Sequence, residues 1–360
     1  MSNVLVCGAT FGRFYLDALR QPDHAPFRLI GLLARGSDRA RQCAEHFGIP
    51  MFTDITDLPS DIDIACVAVR SGLLGGNGSE LARNLMNRGI NVIQEHPVHQ
   101  NELALSLRTA QRNSVAYHLN SFYVHTDPVR NFVAASRKLF LYREPLCIDA
   151  VCSTQSAYSL LDILGTALGR VRPWKFYTDN GQPCGPFRNI SGILGGIPIA
   201  LRLQHQLDPE SPDDSEHVLH RITFFTEAGN LTLVDTSGPI IWQDRPYFKD
   251  IRRAIGPIEE SPDYLARPHV SFFGTSSTPS YQKITRAIWP YGVLHALRTM
   301  QQSMENRENL LRNGQYHLAL CQMWADAAST LGPPELIRGR TYDLLGDDEI
   351  SAIAASAEAG

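Results

Sequence analysis

The sequence predicts an α/β protein in which a doubly wound parallel sheet precedes a second α/β domain with a large, open, mostly antiparallel sheet. The first indication is a glycine-containing turn, 8–12, between an apolar run and a helical pattern. The second is the alternation of apolar runs with helical patterns over the first 120 residues, as in parallel sheets covered by helices. The third is a change, after residue 120, to longer strand candidates. We therefore expect two domains, 1–120 and 121–360.

The elements of the first domain follow from short apolar runs separated by amphipathic segments. Continuous apolar runs, rather than strict alternation, are typical of strands that are buried on both faces. The predicted strands are 4–7, 28–34, 64–69, 91–94 and 115–118. The predicted helices between them are approximately 11–20, 38–47, 79–88 and 102–112.

The second domain begins with a helix, a strand and a helix, predicted at 128–139, 146–153 and 156–168. The strand candidates after them favour an antiparallel or mixed sheet that is open on one face; they are 199–207, 218–226, 230–234 and 240–243. The stretch 252–279 has little periodicity, and an irregular surface excursion, a dimer contact and an active-site cover all remain open for it. Two helical segments close the fold, 281–311, interrupted near Pro290, and 315–331.

Composition excludes several classes of protein. The net charge of −4 without a basic block argues against a nucleic-acid partner, and no apolar run approaches the ~20 residues that span a bilayer. The first residues form a predicted strand with no basic-then-apolar pattern before it, so we expect no secretory signal segment. Seven scattered cysteines fit a reducing cytoplasm and no disulfide framework. We predict no metal site, and we interpret His205, His217 and His220 as structural or exposed because they lack metal-site spacing.

The N-terminal glycine turn has the composition of a dinucleotide-binding loop. It contains Gly8, Thr10, Phe11 and Gly12, between a strand and a helix. In Rossmann domains this unit places a helix N-terminus against the cofactor pyrophosphate. Thr10 stands where the common three-glycine fingerprint has its second glycine, so an ordinary tight turn is the alternative. We predict that these four residues bind a nicotinamide dinucleotide.

The end of the second strand favours NADPH over NADH. A carboxylate here would bind the ribose 2′-hydroxyl of NAD, whereas this chain has Arg35, Ser37 and Arg39. Guanidinium and hydroxyl groups match a 2′-phosphate. In the alternative interpretation Ser37 only caps the following helix and the arginines are solvated.

The loop after the third long strand is predicted to approach the same cofactor. It contains Arg70 and Ser71, followed by a glycine-rich stretch, 72–78. The carboxyl ends of parallel strands face the cofactor, so Arg70 is expected along the ribose or the pyrophosphate. A flexible connector is the alternative for the glycines.

Glu95, His96 and Pro97 follow the fourth predicted strand, 91–94, where the nicotinamide ring lies in this architecture. Imidazole ordinarily has a pKa of about 6.5, so a histidine here is a candidate proton donor near neutral pH. We place Glu95 among the cofactor-binding residues. Tyr123, at the crossing between the domains, is the second candidate donor. The alternatives are a hydrogen-bonded buried histidine and a packing aromatic residue.

These motifs resemble the Gfo/Idh/MocA oxidoreductases over essentially the whole chain. In that family a Glu-Lys-Pro motif ends the fifth strand, and a His-x-x-Asp motif lies on a helix of the second domain. This chain has His96 in place of the lysine and Ser159 in place of the histidine, leaving Asp162. Because lysine and histidine handle the proton in sugar oxidation, the departures count against that reaction.

A specific branch accounts for the departures. The segments GATFGRFYLDAL, ARGSDRAR, VRSGLLGGNGSELA, QEHPVH and GQYHLAL resemble the thiazolinyl imine reductases of siderophore assembly lines, the yersiniabactin and pyochelin type. The resemblance implies NADPH-dependent reduction of a thiazoline C=N to a thiazolidine, while the intermediate is tethered to a nonribosomal peptide synthetase carrier domain. It also implies that His96 and Tyr123 are the candidate general acids. In the wider Gfo/Idh/MocA family the open sheet often forms a dimer, and because an uncovered sheet face must be buried we expect a homodimer.

Two other functions remain open at this point. One is an NADP-dependent sugar or cyclitol dehydrogenase, and the other is a non-catalytic NADPH-binding regulator. The residues also leave open whether His96, Tyr123 or water supplies the proton.

Overall fold

The computed structural model describes residues 1–72, 75–178, 185–211, 216–246, 268–274, 278–338 and 345–358. They form a parallel six-stranded sheet and a separate eight-stranded mixed sheet, with helices packed against both. The predicted α/β class is confirmed.

The first sheet has the order β3-β2-β1-β4-β5-β6, and all of its pairs are parallel. Its strands are β1 (Ser2–Cys7), β2 (Phe27–Leu33), β3 (Met51–Phe52), β4 (Ile64–Val67), β5 (Asn91–Glu95) and β6 (Tyr117–Asn120). The helices between them are α1 (Gly12–Ala18), α2 (Asp38–Phe47), α3 (Gly78–Asn87) and α4 (Gln100–Arg112). The strand order reverses between β1 and β4, and sheets of this kind bind ligands at the carboxyl ends of the strands beside that point.

Burial on both faces explains why these strands have continuous apolar runs in the sequence. In β1, Leu5 and Cys7 join the apolar cluster that includes residues of α3 and α4. Val4 and Val6 join the other cluster, which includes residues of α1 and α2. Both faces of the strand therefore require apolar side chains.

The second sheet has the order β15-β14-β13-β12-β7-β10-β9-β8; β7 and β10 are parallel, and the other pairs are antiparallel. Its strands are β7 (Cys147–Ser153), β8 (Trp174–Thr178), β9 (Phe187–Leu194), β10 (Ile197–Gln204), β12 (His220–Phe225), β13 (Gly229–Leu233), β14 (Ile240–Asp244) and β15 (Val270–Phe273). A small separate pair joins β11 (Gln206–Leu207) to β16 (Glu335–Leu336).

The two faces of the second sheet differ in burial. On one face α5 (Asp127–Phe140) and α6 (Ala157–Leu168) cover the strands, and the rings of Phe132 and Phe224 stack there at 5.5 Å. The opposite face carries the exposed side chains of Tyr177, Phe225 and Phe272. This is the open face that alternating strand patterns predict.

The C-terminal helices are interrupted near Pro290, as predicted, but their second break lies at Asn306 and not between residues 311 and 315. A short helix, α7 (Tyr281–Lys283), and a π-helical turn, Ile284–Ile288, lead into α8 (Trp289–Met304). The π-helical turn ends two residues before Pro290, so the regular helix is interrupted near that residue, as predicted. The next break falls at Asn306, whose side chain caps α9 (Arg307–Leu331). A last exposed helix, α10, spans Asp347–Glu358.

Helix α8 returns to the first sheet, far beyond the predicted domain boundary. Its Val293 and Leu297 are buried with Tyr15 and Leu16 of α1 in one apolar cluster. The C-terminal part of the chain therefore completes the core around α1. The division at 120/121 stays a prediction.

Several elements were not predicted or were displaced. Strands β8 and β9 lie near the edge of the second sheet and alternate apolar with exposed polar residues, so they lack an apolar run. Strand β6 begins two residues later than predicted. Most of the stretch 252–279 lies outside the described residues, apart from 268–274 and 278–279. Among the described helices, none is long and apolar enough to cross a membrane.

Candidate active site

The glycine turn lies at the carboxyl end of β1 and brings this end close to β4. Gly8 has a φ of +98°, and a Cβ atom built on it would lie 2.6 Å from the carbonyl oxygen of Ala68. Gly12 begins α1, and its Cβ atom would lie 3.2 Å from Val6. Position 8 therefore requires glycine, both for its conformation and for the close carbonyl oxygen. At position 12 a side chain would need a small shift of Val6, so glycine there favours close packing of helix against strand.

The surface of this turn is open to a ligand. Thr10 is exposed, while the Phe11 ring packs against those of Phe14 and Phe122 at 5.3 and 5.1 Å. Helix α1 begins without a side-chain cap and without an acidic residue in its first turn. Its N-terminal partial positive charge is therefore not balanced locally, as the predicted pyrophosphate site requires.

Arg35, Ser37 and Arg39 are exposed beyond the carboxyl end of β2. Arg35 Nη2 donates to Asn77 Oδ1 at 3.2 Å and so reaches across to the loop after β4. Ser37 Oγ accepts from the amide of Ala40 at 3.3 Å and caps α2. The cap uses only the acceptor function of the hydroxyl, and its proton can still be donated to a phosphate oxygen.

The described residues of the loop after β4 are held by hydrogen bonds and close backbone packing. Ser71 is buried, and its Oγ donates to the Pro97 carbonyl oxygen at 2.6 Å, which joins this loop to the end of β5. Cβ atoms on Gly76 and Gly78 would lie 2.0 and 2.2 Å from backbone carbonyl oxygens of Arg70 and Val69. These glycines thus allow close backbone packing, and Arg70 itself is exposed. Positions 73 and 74 lie outside the described residues.

Glu95 is the centre of a buried hydrogen-bond network. Its Oε2 accepts from the Tyr15 hydroxyl at 2.5 Å and from Asn120 Nδ2 at 3.2 Å, and its Oε1 lies 3.0 Å from His96 Nδ1. Burial and the Glu95 charge raise the pKa of Tyr15 well above its ordinary value, so the phenol remains a donor. In the structure Glu95 is therefore placed to orient His96, and its role in cofactor binding stays a prediction.

His96 is held on two sides. Besides Glu95, the backbone carbonyl oxygen of Asn120 lies 3.2 Å from Nδ1. The imidazole stacks on the Tyr158 ring, with centroids 5.4 Å apart and planes 22° apart. Because both neighbours of Nδ1 are acceptors, its proton lies on that side and Nε2 is the nitrogen left for a substrate. The side chain is 12% exposed.

Tyr123 lies on the turn that connects the two sheets. The preceding residue, Phe122, has a φ of +66°, a strained conformation for a bulky side chain that fixes where the turn begins. Tyr123 is half-buried, and its ring lies 5.0 Å from the ring of His220. A positive charge on His96 would lower the pKa of His220 further. Tyr123 therefore packs directly against a buried histidine.

His220 is a neighbour of the site that sequence analysis missed. Its Nε2 lies 2.8 Å from Ser159 Oγ, and its Nδ1 lies 2.9 Å from Thr236 Oγ1. An imidazole from β12 is therefore hydrogen-bonded to Ser159, the serine that the sequence has where the resemblance predicts a helix histidine. Burial lowers the pKa of His220 to about 3, so it is neutral and acts as a hydrogen-bonding group. The one sequence feature that indicates this position is the alternation of β12, which places His220 on the buried face of the sheet.

The Asp162 carboxylate accepts hydrogen bonds from three side chains of the protein. Ser121 Oγ donates to its Oδ2 at 2.5 Å, and Tyr316 and Thr166 donate to its Oδ1 at 2.6 and 3.2 Å. Its carboxylate thus connects α6 to α9 and to the end of β6. Within the described ranges, no group of three or more histidine, cysteine or acidic side chains is arranged to hold a metal ion.

Two regions of the chain match families of known proteins. Residues 2–121 match the GFO_IDH_MocA family, described as an oxidoreductase family with an NAD-binding Rossmann fold. Residues 143–243 match the family described as thiazolinyl imine reductase Irp3-like, C-terminal. No curated protein sequence matches the chain.

Solved structures share the fold at low sequence identity. UDP-N-acetylglucosamine 3-dehydrogenase GnnA from Acidithiobacillus ferrooxidans is 12% identical with a TM-score of 0.62, over 91% of this chain and 98% of that one. KijD10, a 3-ketoreductase from Actinomadura kijaniata in complex with NADP and TDP-benzene, is 15% identical with a TM-score of 0.62, over 93% and 99%. At these identities the likeness shows the fold alone.

Proposed function

We infer that this chain reduces a thiazoline C=N to a thiazolidine with NADPH. The chain is an oxidoreductase of the Gfo/Idh/MocA family with an Irp3-like C-terminal domain. The substrate is an intermediate tethered to a carrier domain of a nonribosomal peptide synthetase. The observation that carries this proposal is the match of residues 143–243 to the C-terminal domain of thiazolinyl imine reductases. The replacement of the family's lysine by His96 supports it.

The glycine turn and the end of β2 fit NADPH. A cradle that a Cβ atom at Gly8 would obstruct, together with an uncapped helix start, suits a pyrophosphate. Two exposed guanidinium groups, Arg35 and Arg39, and the free proton of Ser37 suit a 2′-phosphate. The dinucleotide, when bound, supplies the hydride.

The remaining chemistry is the delivery of one proton. Hydride addition to the imine carbon breaks the C=N π bond and leaves an electron pair on nitrogen, which must take up a proton to give the neutral ring amine. His96 in its imidazolium form donates that proton from Nε2, while Nδ1 stays bonded to Glu95 at 3.0 Å. The buried Glu95 carboxylate stabilises the positive ring and fixes its orientation.

Tyr123 is the second donor in this proposal. Its phenol lies at the same junction, against the neutral imidazole of His220. Water is the third source, beside Tyr158 or Asp162. We favour His96 because a strand-end imidazole with an adjacent carboxylate is suited to proton transfer near neutral pH.

The proposal also includes the oligomeric state of the enzyme and its cellular compartment. The exposed apolar side chains of Tyr177, Phe225 and Phe272 on the open sheet face favour a two-fold homodimer. The described cysteines carry free thiols, which fits the cytoplasm.

Sugar or cyclitol oxidation is the second candidate function. The match of residues 2–121 to the GFO_IDH_MocA oxidoreductase family, whose resemblance implies sugar oxidation, favours it. The absence of lysine at position 96 and of histidine at position 159 counts against it.

Single-turnover oxidation of NADPH with a synthetic thiazoline thioester tests the proposal. We expect stoichiometric loss of NADPH absorbance and formation of the thiazolidine, with no turnover of free polyols and NADP⁺. Polyol oxidation without imine reduction would establish the second candidate instead. Binding of NADPH with neither reaction would contradict both.

A further inference from the structure

We propose that Tyr158 is a positioning residue for His96, and that its ring holds the imidazole plane in the orientation that presents Nε2 to the imine nitrogen. The inference rests on the proposed function, because Tyr158 acts through the general acid of that reaction. Two observations carry it: the stack of the Tyr158 ring on the imidazole, and the hydrogen bond that fixes the Tyr158 hydroxyl against α9.

The contacts of Nδ1 alone do not fix the plane of the His96 ring. Glu95 Oε1 and the carbonyl oxygen of Asn120 lie 3.0 and 3.2 Å from this nitrogen. Both contacts are made to one ring atom, and the torsion that turns an imidazole about its Cβ–Cγ bond has broad minima. The ring can therefore still tilt about its Nδ1 edge, and the direction of Nε2 requires a second support.

Tyr158 supplies this support across the face of the imidazole. The two ring centroids are 5.4 Å apart and the planes differ by 22°, which is within the range of offset stacking. An aromatic face within about 6 Å also attracts a positive charge, so the stack favours the imidazolium form over the neutral one. Both effects act on the form of His96 that donates the proton.

The position of Tyr158 is itself fixed by one face of α9. Tyr158 lies in the first turn of α6 and its side chain is 0% exposed. Its hydroxyl lies 3.1 Å from His317 Nδ1 and 3.9 Å from Cys321 Sγ, and the Trp324 ring packs edge-on at 5.8 Å. The three α9 residues are spaced four and three apart and therefore share a helix face. The imidazole thus stacks on a ring that has little freedom to move.

The ring and the hydroxyl of Tyr158 have separate partners. The ring contacts His96, whereas the hydroxyl is bonded to His317, which lies in the GQYHLAL segment. Burial raises the pKa of Tyr158 well above its ordinary value and lowers that of His317, so both groups are neutral. Tyr158→Phe therefore removes the hydroxyl and keeps the stack, and Tyr158→Leu removes both.

The test is single-turnover NADPH oxidation with the thiazoline thioester. The variants are Tyr158→Leu and Tyr158→Phe, each measured alone and in combination with His96→Ala. Tyr117→Leu is the matched control, because it removes another buried tyrosine of the same apolar cluster, whose hydroxyl donates to Gln94 at 2.8 Å. Thermal unfolding checks that each variant is folded.

We expect Tyr158→Leu to lower kcat roughly tenfold, with smaller changes in KM and in NADPH affinity, because the stack acts on the protonated imidazole. Tyr158→Phe should keep most of the native kcat, and Tyr117→Leu should leave it nearly unchanged. In the His96→Ala background, Tyr158→Leu should have no further effect. Equal losses in the leucine and phenylalanine variants would assign the effect to the hydroxyl, and a loss that persists without His96 would assign it to general disruption. Either result, or a native kcat in Tyr158→Leu, would overturn the proposal.

The NMR signals of the His96 ring distinguish a failure of this inference from a failure of the proposed function. A stacked phenol ring shifts neighbouring imidazole proton signals upfield, and His96→Ala identifies these signals by their loss. We expect the upfield shift in the native chain and in Tyr158→Phe, and its loss in Tyr158→Leu. A native chain that shows the shift but reduces no thiazoline would contradict the proposed function and leave the stack established. Native signals without the shift would overturn the inference, whether or not Tyr158→Leu folds.

Discussion

Replacement of Glu95 by glutamine should isolate the contribution of the carboxylate that holds His96. Glu95 and His96 side chains are 10% and 12% exposed, so solvent screens their 3.0 Å contact only weakly. A hydrogen bond to a charged group contributes about 1.5–3 kcal/mol, and at a transition state this corresponds to roughly 10- to 150-fold in rate. Glu95→Gln keeps the side-chain size but removes the charge, so we expect kcat to fall by that factor.

The assay is single-turnover NADPH oxidation with the thiazoline thioester, alongside titration of NADPH affinity. Because the lost interaction stabilises the protonated imidazole, NADPH affinity should stay nearly unchanged. Tyr15→Phe is the control: it removes one donor to Glu95 but leaves the charge, so its effect on kcat should be smaller. A Glu95→Gln variant with native kcat, or one whose loss lies in NADPH affinity, would refute the orienting role.

Three further predictions concern cofactor, assembly and acid stability. Arg35→Asp should shrink or reverse a preference for NADPH over NADH by roughly tenfold or more, measured by fluorescence titration, and equal affinity of the native chain for both would contradict the NADP site. Light scattering at micromolar concentration should give twice the 40.0 kDa of one chain, with dissociation in Phe272→Glu; a monomer alone would exclude the dimer. The pKa values of His118 and His220 are lowered to about 3 in the folded state, below the ordinary 6.5 of an unfolded chain. Unfolding takes up protons below pH 6.5, so stability is present above that pH and is lost as pH falls toward 3. Urea unfolding across pH should show this, and His118→Phe should flatten it; a pH-independent free energy of unfolding would contradict the neutral buried histidines.

Local patterns predicted those parts of the site that one segment supplies. The glycine turn and the end of β5 could be located because a strand, a turn and a helix are adjacent in sequence. Gly8 is needed for its φ of +98°, and such a requirement is visible in the residue type itself.

Contacts between distant segments could not be predicted in the same way. Glu95 meets Tyr15 and Asn120 because three elements converge, and no periodicity in any one of them specifies the pairing. The sequence around His220 is that of an ordinary strand, and its contact with Ser159 exists only because β12 lies beside α6 in the fold.

The edge strands of the second sheet were the weakest part of the sequence prediction. Strands β8 and β9 carry few buried side chains, so hydrogen bonding to a neighbour, rather than apolar patterning, defines them.

Separate and combined replacement of His96 and Tyr123 tests the central claim most directly. His96→Ala and Tyr123→Phe should be measured alone and together, by single-turnover reduction of the thiazoline thioester across pH. Removal of the true general acid should lower kcat ~10²–10⁴-fold and leave NADPH binding nearly intact, with the larger loss in His96→Ala. A double variant that keeps more than about a tenth of the native kcat would show that neither residue donates the proton.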